Sequence, residues 1–254
     1  MLNLTTLNSA TKYPSIETYH ALGERGALTE EVTRFHGEVI LTEKVDGTNV
    51  RIIRMPDGDW FIGSREELLT ARGDRVRNPA LGIVDAVHSI AEQMKDIKIK
   101  DTDTDEIAVY YLETYGAKIG GQARQYTGTG RVGWRMFDIA FVPFEALGWD
   151  REQIAAWRDG GGQRFAEEPV LQRAAEAQGL ELTPRLATLP AESLPATVDD
   201  AHAWLAETLP RTLVGLDARA GGRPEGIVLR TPDRSVIAKA RNEDYARTVK
   251  RRGR

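Results

Sequence analysis

The sequence contains no cysteine, so disulfides and thiolate metal sites are excluded. Its four histidines, His20, His36, His88 and His202, stand too far apart for a local zinc motif, and any metal therefore takes oxygen ligands. No segment reaches the roughly 18 apolar residues of a membrane span. The opening stretch MLNLTTLNSATKYPSIETY has neither the basic region nor the apolar run of a leader. A soluble, cytoplasmic protein without a membrane partner is the expectation. Internal repeats and low-complexity tracts are also missing, and with 41% hydrophobic and 28% charged residues the composition is that of a globular chain able to bury a core.

Net charge is small, −4, but unevenly spread. RGDRVR (Arg72–Arg77) and the terminal RTVKRRGR (Arg247–Arg254) are cationic, while KDTDTDE (Lys100–Glu106) and AEEP (Ala166–Pro169) are acidic. Each run taken alone reads as a solvated surface.

What is present is chiefly strand pattern in the first part. From Gly37 to Arg65 the chain reads strand, Asp46–Gly47 turn, strand, Pro-Asp-Gly-Asp turn, strand, an antiparallel meander in which glycine supplies the positive φ of a hairpin turn. Asn78–Pro79 reads as an N-cap and first helical residue, followed by Val84, Val87, Ile90, Ala91 and Met94 at helical spacing. EIAVYYLETYG (Glu106–Gly116) and GWRMFDIAFV (Gly133–Val142) read as strands. From about Asp150 to Leu209 the pattern is helical, in REQIAAW, RFAEEPVLQRAAEAQ and DDAHAWLAETL, interrupted by the proline-marked LTPRLATLPAESLP, with Trp157 and Trp204 as core anchors. EGIVLRT and SVIAKAR then form a hairpin through PDR. The expectation is one α+β domain over residues 1–254, built on antiparallel sheets flanked by helices and ending in a basic C-terminal tail.

Several charged or aromatic residues stand on these strands or beside their turns: Lys44, Glu113, Phe137, Glu225, Lys239 and Arg241. Together they suit attack of an amine on a nucleotide α-phosphate. A lysine serves as the covalent nucleophile when neighbouring positive charge lowers its pKa. Carboxylates at Glu113 and Glu225 would hold a divalent ion, Lys239 and Arg241 would neutralise the phosphoryl oxygens, and Phe137 would offer a face to a purine.

In this order the motifs resemble those of the covalent nucleotidyltransferases, the superfamily of ATP-dependent DNA and RNA ligases and mRNA-capping enzymes. EKVDGTN resembles the nucleophile motif, GSRE the arginine motif after it, YLETYG and RMFDIAF the middle motifs, EGIVLR the fourth and AKAR the fifth. KYPSIETY (Lys12–Tyr19) and GGQARQY (Gly120–Tyr126) are similar to segments of the nick-sealing, phage-type RNA ligases. The resemblance, from about Lys12 to Arg241, implies an ATP-grasp-like ligase adenylation fold; with 254 − 241 = 13 residues after Arg241, no appended OB domain is expected, a departure from many members of the superfamily. It implies an ATP-dependent RNA ligase using ATP and Mg2+ or Mn2+. Lys44 would take AMP, Glu43 read the adenine edge, and Asn49 and Arg65 handle the ribose or a 5′-phosphate. Glu113 would contact ribose or metal, Phe137 stack, Glu225 bind metal, and Lys239 and Arg241 hold the α-phosphate. The implied partner is RNA, as a nicked duplex or strand ends with 5′-phosphate and 3′-hydroxyl, with an accessory protein supplying the clamp.

Two positions depart from the pattern. Asp46 stands where nick-sealing RNA ligases often have histidine, and aspartate there is the habit of DNA ligases and capping enzymes. Arg241 replaces a common lysine, keeping the charge but adding a planar fork. A minimal ATP-dependent DNA ligase, a capping guanylyltransferase and a nucleotide-binding module without turnover remain the alternatives.

Overall fold

In the computed structural model, residues 2–71, 74–75, 82–94 and 106–253 are described. The first part holds helix α1 (Leu4–Ala10) and strands β1 (Glu17–Thr18), β2 (His20–Leu22), β3 (Leu28–Val32) and β4 (Glu38–Lys44). Strands β5 (Thr48–Arg54), β6 (Trp60–Ser64), β7 (Leu68–Ala71) and β8 (Asp74–Arg75) precede helix α2 (Ile83–Met94). Strand β9 (Glu106–Gly116), short helix α3 (Ala123–Tyr126) and strand β10 (Val132–Pro143) follow, then helix α4 (Arg151–Asp159), strand β11 (Arg164–Phe165) and helix α5 (Glu168–Gln178). The chain closes with strand β12 (Arg185–Pro190), helix α6 (Val198–Thr208), strands β13 (Gly226–Arg230) and β14 (Ile237–Arg241), and helix α7 (Asn242–Arg252). The N-cap expected at Asn78–Pro79, the whole basic run 72–77 apart from the backbone of 74–75, and most of the acidic run at 100–106 lie outside the described residues. No helix among the described residues is long and apolar enough to cross a membrane.

The chain divides into two compact units, each assembled from separated segments. One comprises Met1–Pro14, Gly47–Gly121 and Val132–Leu182. Its seven-stranded sheet runs β11-β10-β9-β5-β6-β7-β8, antiparallel throughout. The central strand β9 is apolar on both faces because both are covered. Ala108, Tyr110 and Leu112 join the core with α2 and α5, while Ile107, Val109 and Tyr111 join the core with α1 and the start of α4. The β5–β6 connection is the expected hairpin: Met55 N–H donates to Asp59 O and Gly58 takes φ 90°. Arg51, fully buried on β5, donates to Asn8 of α1, and burial lowers its pKa to about 10.

The other unit comprises Ser15–Asp46, Gln122–Arg131 and Thr183–Arg254. Its five-stranded sheet runs β1-β14-β13-β4-β12, with β1 parallel to β14 and the other pairs antiparallel. Val39, Leu41, Ile227, Leu229, Ala238 and Ala240 supply one face of the core, on which α6 and α7 lay Val198, Ala201, Leu205 and Tyr245. Trp204 lies half-buried on this core, and Trp157 likewise on the core of the first unit.

Three expectations need correction. The Asp46–Gly47 corner is no hairpin: β4 pairs with β13 and β12, and β5 pairs with β9 and β6. Gly47 is required for a different reason than positive φ, since its φ is ordinary. A Cβ there would stand 2.1 Å from the carbonyl oxygen of Thr114. The segment read as a proline-marked interruption contains β12, an edge strand, where prolines cost little because one side of the ladder is unpaired. The basic end is the second half of α7, not a free tail. There Arg247 pairs with Asp244 at 2.6 Å and Arg252 pairs with Glu30 at 2.6 Å and Asp199 at 3.3 Å.

Candidate active site

Three neighbouring strands place Lys44, Gly226 and Arg241 in one row across the sheet, through the pairs Gly226↔Lys44 and Gly226↔Arg241. Side chains directly opposite in an antiparallel ladder share a face, so the two cations flank a position with no side chain. Nothing larger fits between them: a Cβ on Gly226 would meet the Ala240 carbonyl oxygen at 2.0 Å. Lys239, two residues before Arg241 and in register with Val228, shares that face. The strand period thus brings Lys44, Lys239 and Arg241 together, as their spacing in the sequence implied.

Glu225, at the edge of this row, accepts a hydrogen bond from Lys44 Nζ at 2.7 Å. Both side chains are mostly buried, 25% and 16% exposed. Burial raises the Glu225 pKa, and Asp46 pushes the same way, against the pull of Lys44 and Arg241. Beside it lies a cavity of about 350 Å³ whose lining includes Asp46, Gln125, Tyr126, Arg223, Glu225 and Asn242. Asn242 holds this edge in place, with its N–H on Glu225 O at 2.9 Å and its Nδ2 on Pro224 O at 3.2 Å. No group of three or more acidic or histidine side chains able to cage a metal is found among the described residues. Glu225 and Asp46 on one cavity instead suit a hydrated ion of the Mg2+ type, which keeps its waters and needs one or two carboxylates plus phosphate oxygens.

Glu43 points away from Lys44, as neighbours on a strand must. Only 1% exposed, its carboxylate accepts from the Thr212 hydroxyl and from Leu213 N–H at 2.8 Å, which fastens the segment after α6 to β4. Arg241 is oriented by Asp244, itself 2% exposed at the side chain, which accepts its Nε at 2.7 Å and Arg247 Nη2 at 2.6 Å.

The remaining sequence candidates belong to the other unit. Asn49, Glu113 and Arg135 form a row through β5, β9 and β10. Glu113 Oε1 accepts Gly47 N–H at 3.1 Å, and Asn49 Oδ1 is a buried acceptor without a hydrogen-bond partner among the described residues. An unmet buried acceptor is uncommon and marks Asn49 as ready for a ligand donor. Arg65 is exposed and stands 3.8 Å from Glu66. Phe137 sits at a register shift in β10, half-buried, with its ring 5.0 Å from Tyr13 edge to face and 6.3 Å from Tyr111 nearly parallel.

Three residues of the site escaped the sequence reading. Tyr126, fully buried at the end of α3, accepts Asp46 N–H at 2.7 Å and so holds the corner two residues after Lys44. Burial pushes its pKa up, keeping the phenol neutral. Thr212 gave no local signal, being 169 residues from Glu43. Asp244 did give one: it stands three residues from both Arg241 and Arg247, the spacing of ion pairs on a helix.

The fold is shared with solved RNA ligases at low sequence identity. An apo variant of Naegleria gruberi RNA ligase superposes with a TM-score of 0.55 at 15% identity, covering 95% of this chain and 64% of that one. Another variant of that protein, with ATP and Mn, gives 0.56 at 14% identity, covering 94% and 62%. An archaeal ATP-dependent RNA ligase gives 0.54 at 16% identity, covering 92% and 49%. This chain therefore spans about half to two-thirds of the length of these proteins. Comparison with curated proteins returns no match. Residues 37–249 match the RNA ligase family, a span that contains Lys44, Glu113, Glu225, Lys239 and Arg241. By that match over most of its length, the chain belongs to the RNA ligase family.

Proposed function

We propose that this protein is an ATP-dependent RNA ligase. It forms a covalent lysyl-AMP on Lys44, passes AMP to a 5′-phosphate, and joins that end to a 3′-hydroxyl with release of AMP. The observation that carries the reading is the row Lys44–Gly226–Arg241 with Glu225 on Lys44 at 2.7 Å, in a chain of this family. Lys44 Nζ attacks the α-phosphorus, forming a nitrogen–phosphorus bond as the bond to diphosphate breaks. Lys44 and Arg241 stand in one row on a single face of the sheet, with Lys239 on the same face, so the three cations can converge on a phosphoryl group that approaches that face. Arg241 and Lys239 offset its oxygen charge, Arg241 through a fork held in place by Asp244.

Attack requires a neutral Lys44 amine turned toward phosphorus and away from Glu225, its partner at 2.7 Å. A divalent ion bound by Glu225, with Asp46 beside it, would supply positive charge that offsets the phosphate oxygens and favours the neutral amine. The adenine-reading role of Glu43 rests on the motif resemblance. Roles in nucleotide binding for Asn49, Arg65, Glu113 and Phe137 rest on the motif resemblance, and for Asn49 also on its unmet acceptor.

The test is joining of matched 5′-phosphorylated nicks with RNA or DNA on the 3′-hydroxyl strand, with ATP or GTP and Mg2+ or Mn2+. Faster sealing of the RNA-ended nick with ATP is expected, since the 2′-hydroxyl is the group that distinguishes the two strands. Equal or faster sealing of the all-DNA nick would transfer the assignment to a minimal DNA ligase.

A further inference from the structure

Two loops of the second unit, residues 122–131 and 211–223, are fastened together along their length. Backbone bonds run from Gly221 N to Arg124 O at 2.8 Å, from Gly222 N to Gln125 O at 2.9 Å and from Leu216 N to Tyr126 O at 2.7 Å. Asp217 forms a hub: it accepts the hydroxyls of Thr127 at 2.5 Å and Thr129 at 2.7 Å, and the N–H groups of Gly128 and Arg219 at 3.1 and 2.9 Å. These bonds hold the Asp217 carboxyl well below the usual carboxylate range, so it stays ionised. Gly128 is needed for contact with the facing loop, because a Cβ there would lie 2.3 Å from Arg219 Cβ.

The paired loops carry five exposed arginines, Arg124, Arg131, Arg211, Arg219 and Arg223. Among the described residues none of them forms an ion pair, in contrast to Arg247 and Arg252 of α7. Arg223 also lines the cavity beside Glu225. Asp217 is the single carboxylate on the two loops, and its oxygens are taken up by the hub.

We propose that the stapled loops 122–131 and 211–223 are the polynucleotide-docking surface, and that Arg124, Arg131, Arg211 and Arg219 contact the phosphate backbone of the RNA being joined. The inference rests on the RNA-ligase reading and names the surface that reading needs. Guanidinium groups without a carboxylate partner match phosphate geometry and gain from being carried on loops already fixed before binding, Arg131 and Arg211 being further oriented by the carbonyls of Leu216 at 2.6 Å and Ala220 at 3.3 Å. The C-terminal basic run, the other cationic candidate of this unit, has two of its cations committed to carboxylates.

The experiment measures affinity for a 5′-phosphorylated nicked RNA duplex across a salt series, by the full chain and by the double variant Arg124→Ala/Arg219→Ala. These two guanidinium groups bond no described residue, so their removal leaves the fold alone. Each lost phosphate contact lowers the slope of log affinity against log salt by roughly 0.7 to 0.9, so the double variant should lose about 1.4 to 1.8 of slope. It should bind RNA about tenfold or more weakly at low salt, and Arg219→Glu should weaken binding further. Lys250→Ala on α7 should leave the slope at the parent's value. Lysyl-AMP formation without RNA is read in parallel and should be unchanged in the double variant. Failure of the parent chain to form lysyl-AMP counts against the ligase reading, whereas an unchanged RNA affinity and slope in both loop variants overturns this inference.

Discussion

Replacing Gly47 tests why a glycine follows Asp46. If the residue served a hairpin turn of positive φ, asparagine would be a good substitute and alanine a poor one, because asparagine tolerates the left-handed region. The structure says otherwise: φ is ordinary and any Cβ lands 2.1 Å from Thr114 O and 3.0 Å from Tyr115 Cβ. Backbone on the central strand β9 is the obstacle, and it is anchored on both sides by β5 and β10. Overpacking of this kind costs about 1 to 3 kcal/mol. With backbone as the clashing group, the upper end applies, and at about 2 to 4 °C per kcal/mol for a chain of this size Tm falls by roughly 6 to 12 °C. Gly47→Ala and Gly47→Asn should be destabilised alike, with asparagine no better than alanine. Scanning calorimetry of both variants decides it. A Gly47→Asn protein as stable as the parent, beside a destabilised Gly47→Ala, would falsify the close-approach argument and restore the turn.

Two further perturbations follow from buried hydrogen bonds. Tyr126→Phe removes the acceptor of Asp46 N–H and should cost about 1 to 2 kcal/mol in urea unfolding, while slowing lysyl-AMP formation because the corner next to Lys44 loses its anchor; a variant with parent-like rate and stability would deny that anchor. His20 is fully buried, with Nε2 on the Ala196 carbonyl at 3.2 Å and Nδ1 on the Tyr245 hydroxyl at 2.8 Å, an arrangement that fits the neutral ring. Burial lowers its pKa below the usual 6.5, so stability is full above about pH 6.5 and is lost as pH falls toward the folded value, at no more than about 1.4 kcal/mol per pH unit. His20→Asn should flatten that slope between about pH 6.5 and 5, and an identical pH dependence in the two proteins would show that another group is responsible.

The legible parts of this molecule were those whose pattern is local. Glu106–Gly116 was read to its ends because both faces of β9 are covered and nearly every position is apolar or aromatic. The β13–β14 hairpin announced itself through its turn, and Lys44, Glu225, Lys239 and Arg241 through motifs that the sheet then aligns. What could not be read was partner choice. Val-Asp-Gly-Thr between two strands looks the same whether the strands pair with each other or with segments far along the chain, and here β4 takes β13 while β5 takes β9. Strand β12 was hidden by Pro184 and Pro190, which suit an edge strand yet argue against one locally. Thr212 and Tyr126 act on residues 169 and 80 positions away, a distance over which sequence spacing carries no signal.

The central claim, that Lys44 is the nucleophile, is tested by incubating the protein with ATP labelled on its α-phosphate and a divalent ion, then denaturing it and following the label. The account predicts label on the parent chain that survives base, breaks in acid and maps to Lys44, with none on Lys44→Ala and little on Glu225→Ala. Undiminished labelling of Lys44→Ala, or a parent chain that takes no label with either Mg2+ or Mn2+, would contradict it.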